Sequence, residues 1–264
     1  MIFELRSGDK IDIDKVLDIA KRAGAGILKI YNGASENIQV SFKEDESPLT
    51  AADSASHKII SERLAELTPN IPLLSEEGKD IAYDERKGWE YYWCVDPLDG
   101  TKEFLKRNGE FTVNIALIYK DAPVLGVIYV PVTGVLYYGA EYIGSWKITN
   151  NTEIQPLIVA SNVKEWIAVG SRTHSSTEEV DLLAKFDISR TIAVGSSLKF
   201  CMIAEGNAHV YYRHGPTMEW DIAAGHAIAV YSGAFMGQPD GEVFKYNKPS
   251  LLNGSFLCSI KRDN

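Results

Sequence analysis

Between about Tyr91 and Trp146 the chain lays four short β-rich runs, the last three of them closely spaced: "YYWCV", "FTVNIALIY", "VLGVIYV" and "VLYYGA". Only turn pieces such as "KDAP" and "PVTG" separate the later ones. Spacing this close leaves little room for crossover helices and predicts an antiparallel meander. Two amphipathic helices precede it. One runs from Ile13, with Val16, Leu17, Ala20, Ile27 and Leu28 at helical spacing; the other spans Thr50 to Leu67 and faces inward through Ile60, Leu64 and Leu67. After about residue 155 the strands "LIVA", "IAVG", "TIAVG" and "HVYYR" alternate with helices over Thr177–Phe186, Ser197–Glu205 and Asp221–Tyr231. That βα rhythm predicts a second layered unit. A boundary near residue 150 divides the chain into an α+β part, 1–150, and an α/β part, 151–264. No repeat or Pro/Gly-rich linker intervenes, so the two parts are expected to share an interface.

With 264 residues, 45% of them hydrophobic, the chain can bury substantial cores. No run of about 18 apolar residues could span a bilayer, and the start "MIFELRSGDKIDIDKVLDIA" lacks a signal-peptide pattern. Cys94, Cys201 and Cys258 are too few and scattered for a disulfide framework, and none forms a Cys-x-x-Cys pair. A reducing cytoplasm is the expected location, with loose attachment to the inner membrane left open. A net charge of −9 argues against a general grip on nucleic acid, which needs a basic surface. It leaves room for a phosphorylated small molecule whose charge is met by divalent cations gathered on carboxylates.

The stretch "WCVDPLDGTKEF" sets Asp96 and Asp99 around Pro97, after an apolar strand and before Gly100 and a predicted helix from Thr101. Asp96, Asp99 and the Leu98 carbonyl can converge there as hard oxygen ligands for Mg²⁺, while the Gly100 and Thr101 amides can receive phosphate oxygens. Seen alone, Asp-Pro-x-Asp-Gly is equally well a plain turn with Asp99 as a helix cap. Glu76 and Glu77 follow the apolar run "IPLL"; Asp53 and Asp221 each open a helix, where a carboxylate is favoured by the dipole alone.

Taken together, these four segments resemble the inositol monophosphatase and fructose-1,6-bisphosphatase superfamily of magnesium-dependent, lithium-sensitive phosphomonoesterases. "DPLDGT" matches its D-P-[IL]-D-G-T signature and "WDIAAG" its W-D-x-A-A-G signature, and the resemblance runs from about residue 10 to the end. "VDPLDGTKEFLKRNGEFTVNIALI", "GSSLKFCMIAEGNA" and "RHGPTMEWDIAAGHA" look like its CysQ-type branch, the 3′(2′),5′-bisphosphate nucleotidases. The resemblance implies an α+β fold, a layered αβαβα sandwich with the active site between its two parts. It implies two Mg²⁺ ions, one on Glu76, Asp96 and the Leu98 carbonyl, the second on Asp96, Asp99 and Asp221, with Glu77 orienting a weaker third. Thr101, polarised by Asp53, and Glu76 are the implied catalytic groups. Leu98, Asp99, Gly100, Thr101 and Asp221 also touch substrate in this reading. Ser196, Lys199 and Arg213 are the implied grip on the phosphate that is kept, and Gly170 to His174 the loop beside the base. The implied reaction converts adenosine 3′,5′-bisphosphate to AMP and phosphate, with the phosphosulfate form as a further substrate, in sulfur metabolism. A homodimer stays open.

Other phosphatase chemistries do not fit. Cysteine phosphatases need C-x₅-R, yet the residues six beyond the three cysteines are Gly100, Asn207 and Asn264; D-x-D-x-T, G-x-S-x-G, a P-loop and G-x-G-x-x-G are absent. The five histidines show no H-x-H or H-E-x-x-H spacing. Two rivals remain. One is an inositol monophosphatase or sugar bisphosphatase of the same superfamily. The other is a catalytically silent nucleotide-binding protein.

Overall fold

The computed structural model describes residues 1–33, 40–42, 48–150, 152–159, 163–171 and 177–260. A short hairpin, β1 (Ile2–Glu4) and β2 (Lys10–Asp12), leads into α1 (Ile13–Tyr31), whose first turn is capped by the Asp12 carboxylate accepting from Asp14 N at 3.1 Å. A second hairpin, β3 (Val40–Phe42) and β4 (Pro48–Thr50), opens α2 (Ala51–Leu67). Then come β5 (Leu73–Ser75), α3 (Tyr83–Arg86), β6 (Tyr91–Asp99), α4 (Thr101–Leu105), β7 (Thr112–Tyr119), β8 (Ala122–Val130), β9 (Val135–Ala140), β10 (Gly144–Thr149) and β11 (Glu153–Leu157). The strands from β11 back to β5 form one seven-stranded sheet in reverse sequence order. Every pair is antiparallel except β5–β6, so the meander expected from the closely spaced runs is present.

The remainder supplies β12 (Trp166–Gly170), α5 (Thr177–Leu183), β13 (Ile188–Ala193), α6 (Leu198–Ala204), β14 (Val210–Arg213), β15 (Thr217–Met218), α7 (Glu219–Tyr231), β16 (Phe235–Gly237), β17 (Leu252–Asn253) and β18 (Phe256–Ser259). A five-stranded mixed sheet runs β13-β12-β14-β18-β16.

Alternation along β6 shows how the layers stack. Trp93 and Val95 join the core beneath α1 and α2, whereas Tyr92 and Cys94 join a second core with α6 and α7. A strand buried on both faces reads as a continuous apolar run, as this one does. The second core continues to Tyr211, Phe256 and Cys258 of the smaller sheet, whose far side is covered by Leu183 and Phe186. The order is helices, large sheet, helices, small sheet, helix: the layered α+β sandwich expected. Small residues let α7 lie between the sheets. Ala223, Ala224, Ala227 and Ala229 are buried, and a Cβ at Gly126 of β8 would sit 2.4 Å from the Ala224 carbonyl oxygen.

One boundary moves. "LIVA" was expected as a strand of the second part, but the segment actually paired is Glu153–Leu157, which adds to β10 with Pro156 opposite Trp146. Proline, lacking an N–H, is tolerated because β11 is the sheet's edge. The large sheet therefore runs past residue 150, and α7 returns to pack against it.

Candidate active site

Asp96 pairs with Asn114 and Asp99 with Thr112, so three steps on β6 oppose two on β7. The bulge re-aims both carboxylates at the sheet end. Pro97 carries no N–H to extend the ladder; the Leu98 amide donates to Asp96 Oδ1 at 3.0 Å, and Ser56 on α2 donates to the Pro97 carbonyl at 2.6 Å. Gly100 then turns the chain with φ +89°, a left-handed value suited to glycine. Its missing Cβ also admits a neighbour, since a methyl there would lie 2.1 Å from Ser196 Oγ. Parallel pairing of β5 beside β6 delivers Glu76, whose amide donates to the Val95 carbonyl at 3.1 Å. Asp221 arrives on the first turn of α7, accepting from Met218 N at 2.8 Å. It is thus a cap as well as a site residue.

Glu76, Asp96, Leu98, Asp99, Gly100 and Thr101 line a pocket of about 340 Å³ together with Ser196, Lys199, Arg213 and Asp221. Asp53 stands behind this wall. It is buried, takes Thr50 N at 2.8 Å and Thr50 Oγ1 at 2.6 Å on one oxygen, and meets Thr101 Oγ1 at 3.2 Å with the other. Gly170 ends β12 beside Ser171, which lines the pocket, and its carbonyl accepts from Val194 N at 3.2 Å. Glu77 is next to Glu76 but not in the pocket wall. His174 lies outside the described residues.

The second half holds the first through residues not anticipated as a group. Asp99 Oδ2 accepts from Ser197 N at 2.6 Å, Ser197 Oγ at 2.7 Å and Asn114 Nδ2 at 3.2 Å. Ser196 spends its hydroxyl on backbone, within 2.9 Å of the Asp99 carbonyl and 2.6 Å of the Glu110 carbonyl. Lys199 is buried, donating to the Ser196 carbonyl at 2.6 Å with its Nζ 5.5 Å from the Tyr211 ring centre. Burial, with Arg213 adding like charge, pulls this ammonium down to about 8, against the opposing pull of Asp99. Arg213 Nε is buried with no hydrogen-bond partner among the described residues. A buried guanidinium N–H left unpaired is costly unless an anion meets it.

The acidic wall has the opposite imbalance. Burial first, then Glu76, Asp99 and Asp221, push the Asp96 carboxyl well above its usual range; burial and Asp99 push Asp221 up to about 8. Among the described residues no three carboxylates make a finished metal cage. The donors are nevertheless hard oxygens from three chain segments, Glu76, Asp96 to Asp99 and Asp221, around one pocket, and divalent cations would relieve the repulsion among them. The residues fit a magnesium site.

The model of the inositol monophosphatase family matches residues 12–262. The chain belongs to this family. A curated family relative, the 3′(2′),5′-bisphosphate nucleotidase CysQ of Salmonella typhimurium, is 47% identical over 249 residues, 94% of this chain and 99% of that one. CysQ of Escherichia coli O157:H7 is 46% identical over the same shares. Among solved structures of the inositol monophosphatase family, CysQ from Bacteroides thetaiotaomicron superposes with a TM-score of 0.82 at 43% identity, covering 94% of this chain and 97% of that chain. The resemblance read from the "DPLDGT" and "WDIAAG" signatures therefore holds across nearly the whole length.

Proposed function

We propose that the chain is a Mg²⁺-dependent, lithium-sensitive 3′(2′),5′-bisphosphate nucleotidase that removes the 3′-phosphate of adenosine 3′,5′-bisphosphate, leaving AMP and phosphate. The names of the CysQ relatives support the substrate class. The observation that carries the reading is the mixed charge of the pocket wall: the carboxylates of Glu76, Asp96, Asp99 and Asp221 share it with Lys199 and Arg213, and Arg213 Nε has no hydrogen-bond partner among the described residues. A monophosphate needs only the metal-gathering carboxylates. Added cations have a purpose when the substrate carries a second anion.

Glu76, Asp96 and the Leu98 carbonyl would hold one Mg²⁺, and Asp96, Asp99 and Asp221 another; Glu77 would orient a third, weaker ion. When bound, the ions supply charge neutralisation at the transferring phosphoryl group and a more acidic attacking water. Thr101 and Asp53 handle the proton. The Thr101 hydroxyl donates toward Asp53 Oδ1 at 3.2 Å, which leaves an Oγ1 lone pair to take the water's proton as its own proton shifts to the carboxylate. Glu76 shares in orienting that water. The Gly100 and Thr101 amides steady phosphate oxygens. Lys199 has three donors; the Ser196 and Val194 carbonyls, at 2.6 and 3.4 Å, take two and leave one for the retained phosphate beside Arg213. The phosphosulfate analogue would present a comparable anion there.

The site of cleavage tests the proposal. Protein incubated with Mg²⁺ and adenosine 3′,5′-bisphosphate should yield 5′-AMP, separable from 3′-AMP by chromatography, and chelator should stop the reaction. Release of 3′-AMP, or no phosphate at all, would sink it.

A further inference from the structure

We infer that Ser197, oriented by Asn114, is a positioning residue that assembles the Asp99–Asp221 end of the metal site from two separate parts of the chain. The inference rests on the two-ion reading above.

Ser197 is the residue before α6, the place where a serine hydroxyl ordinarily caps the helix, yet its side chain makes no capping bond. The hydroxyl is instead 2.7 Å from Asp99 Oδ2 and 2.8 Å from the Asp221 backbone carbonyl, and its own amide donates to Asp99 at 2.6 Å. One buried residue therefore touches a carboxylate at the end of the large sheet and the first turn of the helix carrying Asp221.

Proton counting gives the arrangement a direction. Thr112 Oγ1 is 2.9 Å from Asn114 Oδ1, so the Asn114 oxygen is an acceptor and both amide protons point the other way. One goes to Ser197 Oγ at 2.9 Å, the other to Asp99 Oδ2 at 3.2 Å. Ser197 Oγ, having accepted, keeps a single proton for Asp99 or the Asp221 carbonyl. Thr112 and Asn114 are fully buried, and they occupy alternate positions of β7 in register with Asp99 and Asp96. Two polar side chains without solvent access on an otherwise apolar strand cost desolvation that their bonds to the site residues repay. The contact between Gly100 and Ser196 keeps the incoming loop close enough for these bonds.

Mn²⁺ serves as the probe, its free concentration read by electron paramagnetic resonance during titration. The wild-type protein should take up ions in two classes. Ser197→Ala should weaken one class about 10-fold or more, the range typical of lost ligand-orienting hydrogen bonds, and leave the other within about twofold. Asn114→Ala should reproduce that pattern from the opposite side of the network. The double variant should be little worse than the poorer single one, because both remove the same linkage. The Mg²⁺ needed for half-maximal phosphate release should rise in parallel, with KM for the nucleotide nearly unchanged at saturating Mg²⁺. Equal weakening of both classes, or unchanged binding in both variants, overturns the inference. If neither variant folds by near-ultraviolet circular dichroism, the pair belongs to the fold and the inference fails as well. A wild-type protein that binds fewer than two ions overturns the two-ion reading itself, and is recognised before any substitution is made.

Discussion

Replacing Lys199 by methionine should make the metal-free protein more stable and the enzyme worse. Lys199 is 7% exposed, and its ammonium is pulled from an ordinary 10.5 to about 8 chiefly by burial. Holding the charge in the fold at pH 7 therefore costs about 3 kcal/mol relative to the unfolded chain. Methionine has similar length and removes that cost. It leaves the Ser196 carbonyl without its 2.6 Å donor, an offset of about 1–2 kcal/mol. The net expectation is a gain of about 1–2 kcal/mol by urea unfolding at pH 7. The sign of the pH dependence follows from proton binding. Between about 8 and 10.5 the unfolded chain binds the Lys199 proton and the folded chain does not, so wild-type stability rises with pH there. The advantage of Lys199→Met should accordingly shrink across that interval. In turnover, losing a charged contact worth about 1.5–3 kcal/mol should raise KM for adenosine 3′,5′-bisphosphate about 10- to 100-fold. A variant destabilised by more than about 1 kcal/mol at pH 7 with an unchanged KM would refute the reasoning and make the lysine a structural strut.

Three further outcomes follow from the same geometry. Asp96→Asn should lower phosphate release at least about 100-fold by weakening both ions; near-normal activity at moderate Mg²⁺ would remove Asp96 from the ligand set. Arg213→Ala should damage use of the bisphosphate far more than use of a nucleoside monophosphate, and equal losses would take it out of the specificity site. Gly100→Ala places a methyl 2.1 Å from Ser196 Oγ at φ +89°, so it should cost at least about 1–2 kcal/mol and lower Tm; an unchanged Tm would contradict the tight contact described.

Much of the fold was legible because period-2 and period-3.6 patterns report burial directly. The four strands of the meander and the helix beginning at Ile13 appear close to where their apolar spacing puts them. The shift from "LIVA" to Glu153–Leu157 was not legible, because an edge strand with one buried residue out of five carries almost no hydrophobic signal. In the site, Asp96 and Asp99 were marked by their strand-to-turn context, but Asp53 and Asp221 looked like helix caps and act as caps here too. Only the resemblance singled them out. Asn114 and Thr112 left a readable trace, two polar residues at alternate positions of "TVNIALIY", whose meaning depended on the register that sets them opposite Asp96 and Asp99. Ser196 and Ser197 are indistinguishable as letters, and their different partners come from the left-handed backbone at Ser196, φ +52°.

The central claim is that a second anion on the substrate is read by Lys199 and Arg213 in the pocket wall. The most direct measurement compares kcat/KM with adenosine 3′,5′-bisphosphate, inositol 1-phosphate and fructose 1,6-bisphosphate under identical Mg²⁺, with and without lithium. A preference of about 100-fold for the nucleotide, on the order of 2.7 kcal/mol of transition-state discrimination, is the expected result. A preference for inositol 1-phosphate would keep the carboxylate set of the site and contradict the assignment of Lys199 and Arg213.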